Sequence, residues 1–180
     1  MKLYKNKFKI ESARLKEWDY STPWWYYITI CTKDMINWFG EIKNGKMVLN
    51  ELGNVVDDEW NKTIEIRKNV ELDYYVVMPN HFHGIIIIKD VETSRRDVSK
   101  EKLETGHRPV STHLKPDSLG SVIGQFKSIC TKRIRKLGIE RFKWQTRFYD
   151  HIIRNENDLR RIRTYIQNNP LKWELDEYYR

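Results

Sequence analysis

The chain reads as an α+β protein, a mostly antiparallel sheet with helices packed on one face. Three observations predict this. Short aromatic and β-branched runs of strand character alternate with longer runs of helical period. Two joints between strand-like runs, Asn44-Gly45 and Pro79-Asn80, are turn sequences that pair neighbours antiparallel. The order strand, hairpin, helix, two strands, loop, helix, strand, helix then leaves the helices to cover a sheet face, as in a ferredoxin-like sandwich.

Taken in order, "WWYYITICT" over 24–32 predicts the first long strand. "FGEIKNGKMVLN" places Asn44-Gly45 between two short alternating segments, which predicts a tight hairpin. From Glu51, the spacing of Leu52, Val55, Val56, Trp60 and Ile64 predicts an amphipathic helix. Strands over Leu72–Met78 and Phe82–Lys89 follow, forming a second hairpin. Residues 90–118 are charged and polar with no apolar period, and read as a mobile insertion; its His107 and His113 read as solvated loop histidines. A helix follows, with Ser118 or Ser121 as cap and Gly138 as stop. "RFKWQTRFYDHIIRN" looks extended, and "ENDLRRIRTYIQNN" is a last helix ended at Pro170.

The 180 residues fit one domain spanning 1–180. Two cysteines, Cys31 and Cys130, sit far apart outside any CxxC pair, which excludes a disulfide scaffold and a cysteine zinc site. With no secretory h-region and no bilayer-length apolar run, the expected location is the cytoplasm. The formal net charge of +8 favours a polyanionic partner, nucleic acid before membrane.

"VVMPNHFHGIIII", from Val76 to Ile88, carries the first chemical signal. Side chains at i and i+2 of a strand share a face, so His81 and His83 project together while Phe82 points away. Two neutral imidazoles a few ångströms apart form a bidentate metal clamp. They also suit the bland reading of two histidines on a half-exposed strand. Gly84 would let a ligand or a neighbouring helix approach closely.

The last helix supplies a possible partner. Leu159, Ile162 and Ile166 mark its buried side, and Tyr165 and Asn169, four residues apart, share a face at the edge of that stripe. A tyrosine hydroxyl, with a pKa near 10, needs a base or a nearby cation to act as a nucleophile. A phosphodiester needs charge withdrawn from its oxygens. Tyr165 beside a His81–His83–Asn169 metal site would meet both needs, although a core tyrosine and a helix-terminal asparagine explain the two residues separately.

The basic charge is concentrated. Between Gly120 and Tyr165 twelve Lys and Arg face four Asp and Glu, which accounts for the whole net charge of +8. Phe126, Phe142, Trp144, Phe148 and Tyr149 interleave with them. Basic grooves with stacking surfaces suit single-stranded nucleic acid, and Lys127, Lys132, Arg133, Arg147, His151, Arg154 and Arg161 are the candidate contacts.

"VVMPNHFHGIIII", "GSVIGQFKS" and "WQTRFYDHIIRNENDLRRIRTYIQNNPLKW" together resemble the single-tyrosine HUH transposases, in particular the REP-associated tyrosine transposases, over about Arg14 to Trp173. The resemblance implies an RRM-like (ferredoxin-like) fold whose central strand carries His81 and His83. It implies Tyr165 as nucleophile, Asn169 completing the metal site, and Mg²⁺ or Mn²⁺ as cofactor, with Mn²⁺ better suited to two imidazoles. The implied partner is hairpin-forming single-stranded DNA, handled by a monomer or homodimer. The implied reaction is attack of Tyr165 on phosphorus to give a 5′-phosphotyrosine and a free 3′-OH, reversed to rejoin strands without ATP. The resemblance leaves the roles of Trp144, Gln145, His151 and Arg154 open between DNA contact and fold. Two other readings suit the same residues: a non-catalytic RRM-like nucleic-acid binder, and a metal-dependent phosphodiesterase using water. The latter is expected to bring an Asp or Glu beside the histidines.

Overall fold

The computed structural model describes residues 18–90 and 115–179, with the backbone of two short antiparallel strands near the N-terminus, Leu3–Tyr4 (β1) and Lys7–Phe8 (β2). Most of the expected insertion, with His107 and His113, lies outside the described residues.

Four strands form the main sheet: Trp24–Cys31 (β3), Val70–Val77 (β6), His81–Ile88 (β7) and Tyr149–Ile152 (β8), in the order β6-β7-β3-β8 with every neighbour antiparallel. Gly40–Lys43 (β4) and Lys46–Leu49 (β5) form a separate ribbon. Its turn residues Asn44 and Gly45 both take positive φ, 52° and 69°, as a two-residue turn that matches strand twist requires.

Glu51–Ile66 (α1) begins where the Asn50 side chain accepts from the Leu52 and Gly53 amides. Leu119–Lys136 (α2) begins at Ser118, whose hydroxyl accepts from the Ser121 amide, and Gly138 follows its end at φ 87°. Both helices pack on one sheet face. There Tyr26, Ile28, Ile30, Phe82 and Ile86 meet Val55, Val56 and Trp60 of α1 and Val122, Ile123 and Phe126 of α2. Gly84 belongs to this face: a Cβ there would stand 2.9 Å from the Trp60 ring, so the residue admits a neighbouring helix. The expected α+β class, an antiparallel sheet with helices on one face, stands for α1 and α2; the last helix is added to the other face.

Glu156–Asn168 (α3) lies across the other face, where Leu159, Ile162 and Ile166 cover Tyr27, Ile85 and Ile153. A sheet buried on both sides explains why the apolar run of β7 lacks polar alternation. The Arg163 guanidinium ties α3 to β6 by bonds of 2.8 Å to Asp73.

Some sequence expectations shift. Ile64 is exposed, and Glu59 and Thr63 take the buried positions on that side of α1. β7 starts at His81 rather than Phe82, because the Met78 amide donates to the His81 carbonyl and closes the turn there. Of the stretch expected to be extended, only Tyr149–Ile152 is a strand, while Trp144 forms a lone bridge with Thr32.

Candidate functional site

The register of β3 on β7 sets Cys31 opposite His81, Thr29 opposite His83 and Tyr27 opposite Ile85, all on the α3 face. His81 and His83 therefore share a face as expected, with ring centroids 4.5 Å apart. Both are fully buried, which overturns the half-exposed reading. Phe82 points the other way, against Trp60 and Phe126.

Each imidazole is held at Nδ1. His81 Nδ1 lies 2.8 Å from Asn80 Oδ1, and His83 Nδ1 lies 2.8 Å from the Tyr27 hydroxyl and 2.9 Å from Thr29 Oγ1. Their Nε2 atoms face the site. The Tyr165 hydroxyl sits 3.4 Å from His83 Nε2, and its ring stands edge-on to His83 at 5.2 Å and to Tyr27 at 6.4 Å.

Past α3, Pro170–Leu175 forms a 3-10 turn that sends the chain back over the histidines. This return delivers Asp176, which sequence reasoning missed. Asp176 Oδ2 accepts from Asn169 Nδ2 at 2.6 Å and lies 3.4 Å from the Tyr165 hydroxyl, while Oδ1 accepts from the Tyr178 amide at 2.8 Å. The Tyr178 ring closes over His81 at 4.7 Å. A helix-stopping proline with a carboxylate six residues later was the available signal, and it is a weak one.

His81, His83 and Asp176 each offer a ligand atom, all within 4.8 Å of one another. Among the described residues four buried side-chain polar atoms lack a partner, and two of them, His81 Nε2 and Asn169 Oδ1, belong to this cluster. A buried orphan acceptor is costly unless something absent from the protein satisfies it. Two imidazoles, a carboxylate and an amide oxygen fit a hard to borderline divalent cation. Asn169 lies beside this cluster, donating to its acidic member Asp176.

The electrostatics agree with that fit. Burial holds the His81 pKa down to about 4 despite the favourable charge of Asp176 and the Asn169 side chain, so the ring is a neutral donor at neutral pH. Burial, then the neighbouring His81, push His83 well below the ordinary histidine value. Burial, followed by Asp176 and Glu177, raises the Tyr165 phenol above its usual range. The Cys31 thiol is pushed up to about 11 by burial and the same two acids, so it remains protonated beside the histidines.

The candidate nucleic-acid contacts separate into groups. Lys127 donates to the carbonyls of Gln145 and Thr146, and with Lys132, Arg135, Lys136 and Lys143 it lines a groove of about 760 Å³ between α2 and the 143–146 segment. Arg147 is exposed just beyond that segment. Arg133 is engaged elsewhere: it binds Glu59 at 2.5 Å and Asp58 at 3.2 Å, tying α2 to α1. His151 and Arg161 both bind Asp158 at 2.7 Å, and both also line a tyrosine-rich cavity of about 550 Å³ beside Tyr165. Arg154 is exposed beside Trp24 and Trp25, at the end of the sheet opposite the histidines. Trp144 is buried in the core of the α1–α2 face, while the Gln145 amide donates to Cys31 at the histidine end.

No helix among the described residues is long and apolar enough to cross a membrane. No protein-family model matches the chain. It is 38% identical over 168 residues to an uncharacterized protein of Haemophilus influenzae, covering 93% of this chain and 92% of that protein. Among solved structures it is similar to a REP-associated tyrosine transposase bound to a REP hairpin. The TM-score is 0.59 at 20% identity, covering 94% of this chain and 77% of the other. At that identity the likeness shows the fold. The chain therefore belongs to one family with the Haemophilus influenzae protein, and it has the fold of the REP-associated tyrosine transposase.

Proposed function

We propose that the protein nicks and rejoins single-stranded DNA as an HUH transposase. Tyr165 is the nucleophile, and His81, His83, Asp176 and Asn169 hold a divalent ion, Mg²⁺ or Mn²⁺. One observation carries this reading: the Tyr165 hydroxyl lies 3.4 Å from His83 Nε2, beside a buried His81 Nε2 that no protein group satisfies. The fold neighbour was solved with a REP hairpin, which supports hairpin-bearing DNA as the partner here.

When bound, the ion supplies positive charge that withdraws electrons from a non-bridging phosphate oxygen and favours the phenolate. The remaining work falls to the chain. His83 and Tyr27 hold the Tyr165 ring edge-on and aim its hydroxyl into the cluster. Burial and the charges of Asp176 and Glu177 keep that hydroxyl protonated within the cluster. The Tyr165 oxygen then bonds to phosphorus as its proton passes to solvent, and the bond to the 3′ oxygen breaks, that oxygen taking up a proton from solvent. This leaves a 5′-phosphotyrosine and a 3′-OH, and attack by a 3′-OH reverses the step. Lys127, Lys132 and Arg147, with the neighbouring cations of the groove, bind DNA phosphates. Arg161 and His151 reach DNA only through the tyrosine cavity, and Arg154 serves strand positions distant from the reaction.

Asp176 also favours a second reading, a phosphodiesterase in which water attacks. Incubation with hairpin-bearing single-stranded DNA and Mn²⁺, followed by a denaturing protein gel, separates the readings. The proposal expects a covalent protein–DNA adduct that is lost with chelator and in Tyr165→Phe, with hairpin binding retained in that variant. Cleavage that survives Tyr165→Phe without an adduct assigns the attack to water. Hairpin binding without cleavage makes the protein a binder.

A further inference from the structure

We infer that Asn80 is a positioning residue that sets the tautomer of His81 for metal binding and fastens the Asp176-bearing segment over the histidines. The inference rests on the reading of His81 Nε2 as a metal ligand.

Asn80 is fully buried at the turn between β6 and β7. Its Nδ2 donates to two backbone carbonyls, Met35 at 3.1 Å and Tyr178 at 2.8 Å. Carbonyls only accept, so the amide nitrogen must face them and Oδ1 must face His81 Nδ1 at 2.8 Å. An amide oxygen also only accepts, so His81 Nδ1 must carry the hydrogen. In the neutral ring this leaves a lone pair on Nε2, the atom without a protein partner. Donor and acceptor counting thus defines one tautomer, the one a metal needs. His83 has no such constraint, since the hydroxyls of Tyr27 and Thr29 can each donate or accept.

The same amide joins three separate pieces of chain. Met35 lies in the turn after β3, His81 opens β7, and Tyr178 belongs to the C-terminal return. Tyr178 in turn donates its amide to Asp176 Oδ1 and lays its ring on His81. Asn80 therefore holds one ligand in its binding tautomer and draws the carboxylate ligand towards it. Outer partners of metal-bound histidines are generally worth about 10–100-fold in affinity.

The test uses full-length protein with ¹⁵N-labelled histidine. Nitrogen NMR without metal reads the tautomer, His81→Gln assigns the signals, and Mn²⁺ affinity is measured by the loss of the free-ion EPR signal. Wild type should show His81 protonated at Nδ1 and bare at Nε2. Asn80→Ala should shift the proton towards Nε2 and weaken Mn²⁺ binding by about 10–100-fold. Asn80→Asp keeps an acceptor facing Nδ1 and should keep the tautomer, while its second oxygen, set against the Met35 and Tyr178 carbonyls, should loosen the C-terminal return and weaken Mn²⁺ binding. Wild-type His81 protonated at Nε2, or Asn80→Ala unchanged in both tautomer and Mn²⁺ affinity, overturns the inference. Should either variant fail to fold, the wild-type spectrum still decides, since His81 protonated at Nε2 overturns the inference. A wild type that forms no DNA adduct but shows the Nδ1–H tautomer counts against the nicking reaction and leaves the role of Asn80 standing.

Discussion

Gly84→Ala tests the packing that holds the histidine strand in place. The added Cβ would meet Phe82 Cε1 at 2.8 Å and Trp60 Cζ2 at 2.9 Å. Carbon pairs prefer about 3.5–4.0 Å, so one or both rings must retreat by roughly 0.6 Å or more. They have little room, because both are fully buried and Trp60 also packs against Phe126 at 5.3 Å. Overpacking of this kind costs about 1–3 kcal/mol, offset in part by the lower entropy of the unfolded alanine chain, about 0.4–1 kcal/mol. A net loss of about 1–2 kcal/mol is expected by urea denaturation, with an unchanged slope and a lower midpoint. Trp60→Phe in the same chain frees space, so the double variant should be more stable than the sum of the two losses predicts. Gly84→Ala within about 0.5 kcal/mol of wild type, paired with a loss of Mn²⁺ affinity, would refute the reasoning, since it would place Gly84 on the ligand side of the strand.

Tyr165→Phe should leave stability within about 0.5 kcal/mol, because the hydroxyl's contacts to His83 and Asp176 are long at 3.4 Å; urea denaturation checks it. Asp176→Asn keeps the shape and removes the charge, and should weaken Mn²⁺ binding by about tenfold or more in calorimetry, since ligand charge sets the affinity of such sites. Lys132→Ala should lower the salt dependence of single-strand binding by about 0.7 in log–log slope. Arg133→Ala should leave that slope unchanged and instead destabilise the fold, since it leaves the buried Glu59 carboxylate with the longer 3.7 Å contact to Lys62. Asp73→Ala releases the Arg163 anchor of α3 and should cost about 1–3 kcal/mol, with a matching loss of adduct formation if the tilt of Tyr165 depends on it.

Much of the site was legible because it is periodic. Strand alternation alone put His81 and His83 on one face and Phe82 on the other, and the structure keeps that division. Helical spacing identified Leu159, Ile162 and Ile166 as buried and left Tyr165 and Asn169 at the margin of the stripe. Asn44-Gly45 marked its hairpin because few residues tolerate two successive positive φ values. In each case the backbone repeat is local, so a window of a few residues contains the whole cause.

What only the tertiary structure decided depends on partners far apart in the chain. An amphipathic stripe shows that α3 buries one side, but not which sheet face receives it; the meeting of Ile162 with Tyr27 and Ile85 decides that. Asp176 becomes a ligand candidate because Pro170 turns the chain back onto β7, and Asn80 becomes a clamp because Tyr178 arrives 98 residues later. Arg133 looked like its basic neighbours until it met Glu59 across 74 residues. Such contacts leave no repeat in the sequence, because they join surfaces that the chain brings together only when the sheet closes between its two helical layers.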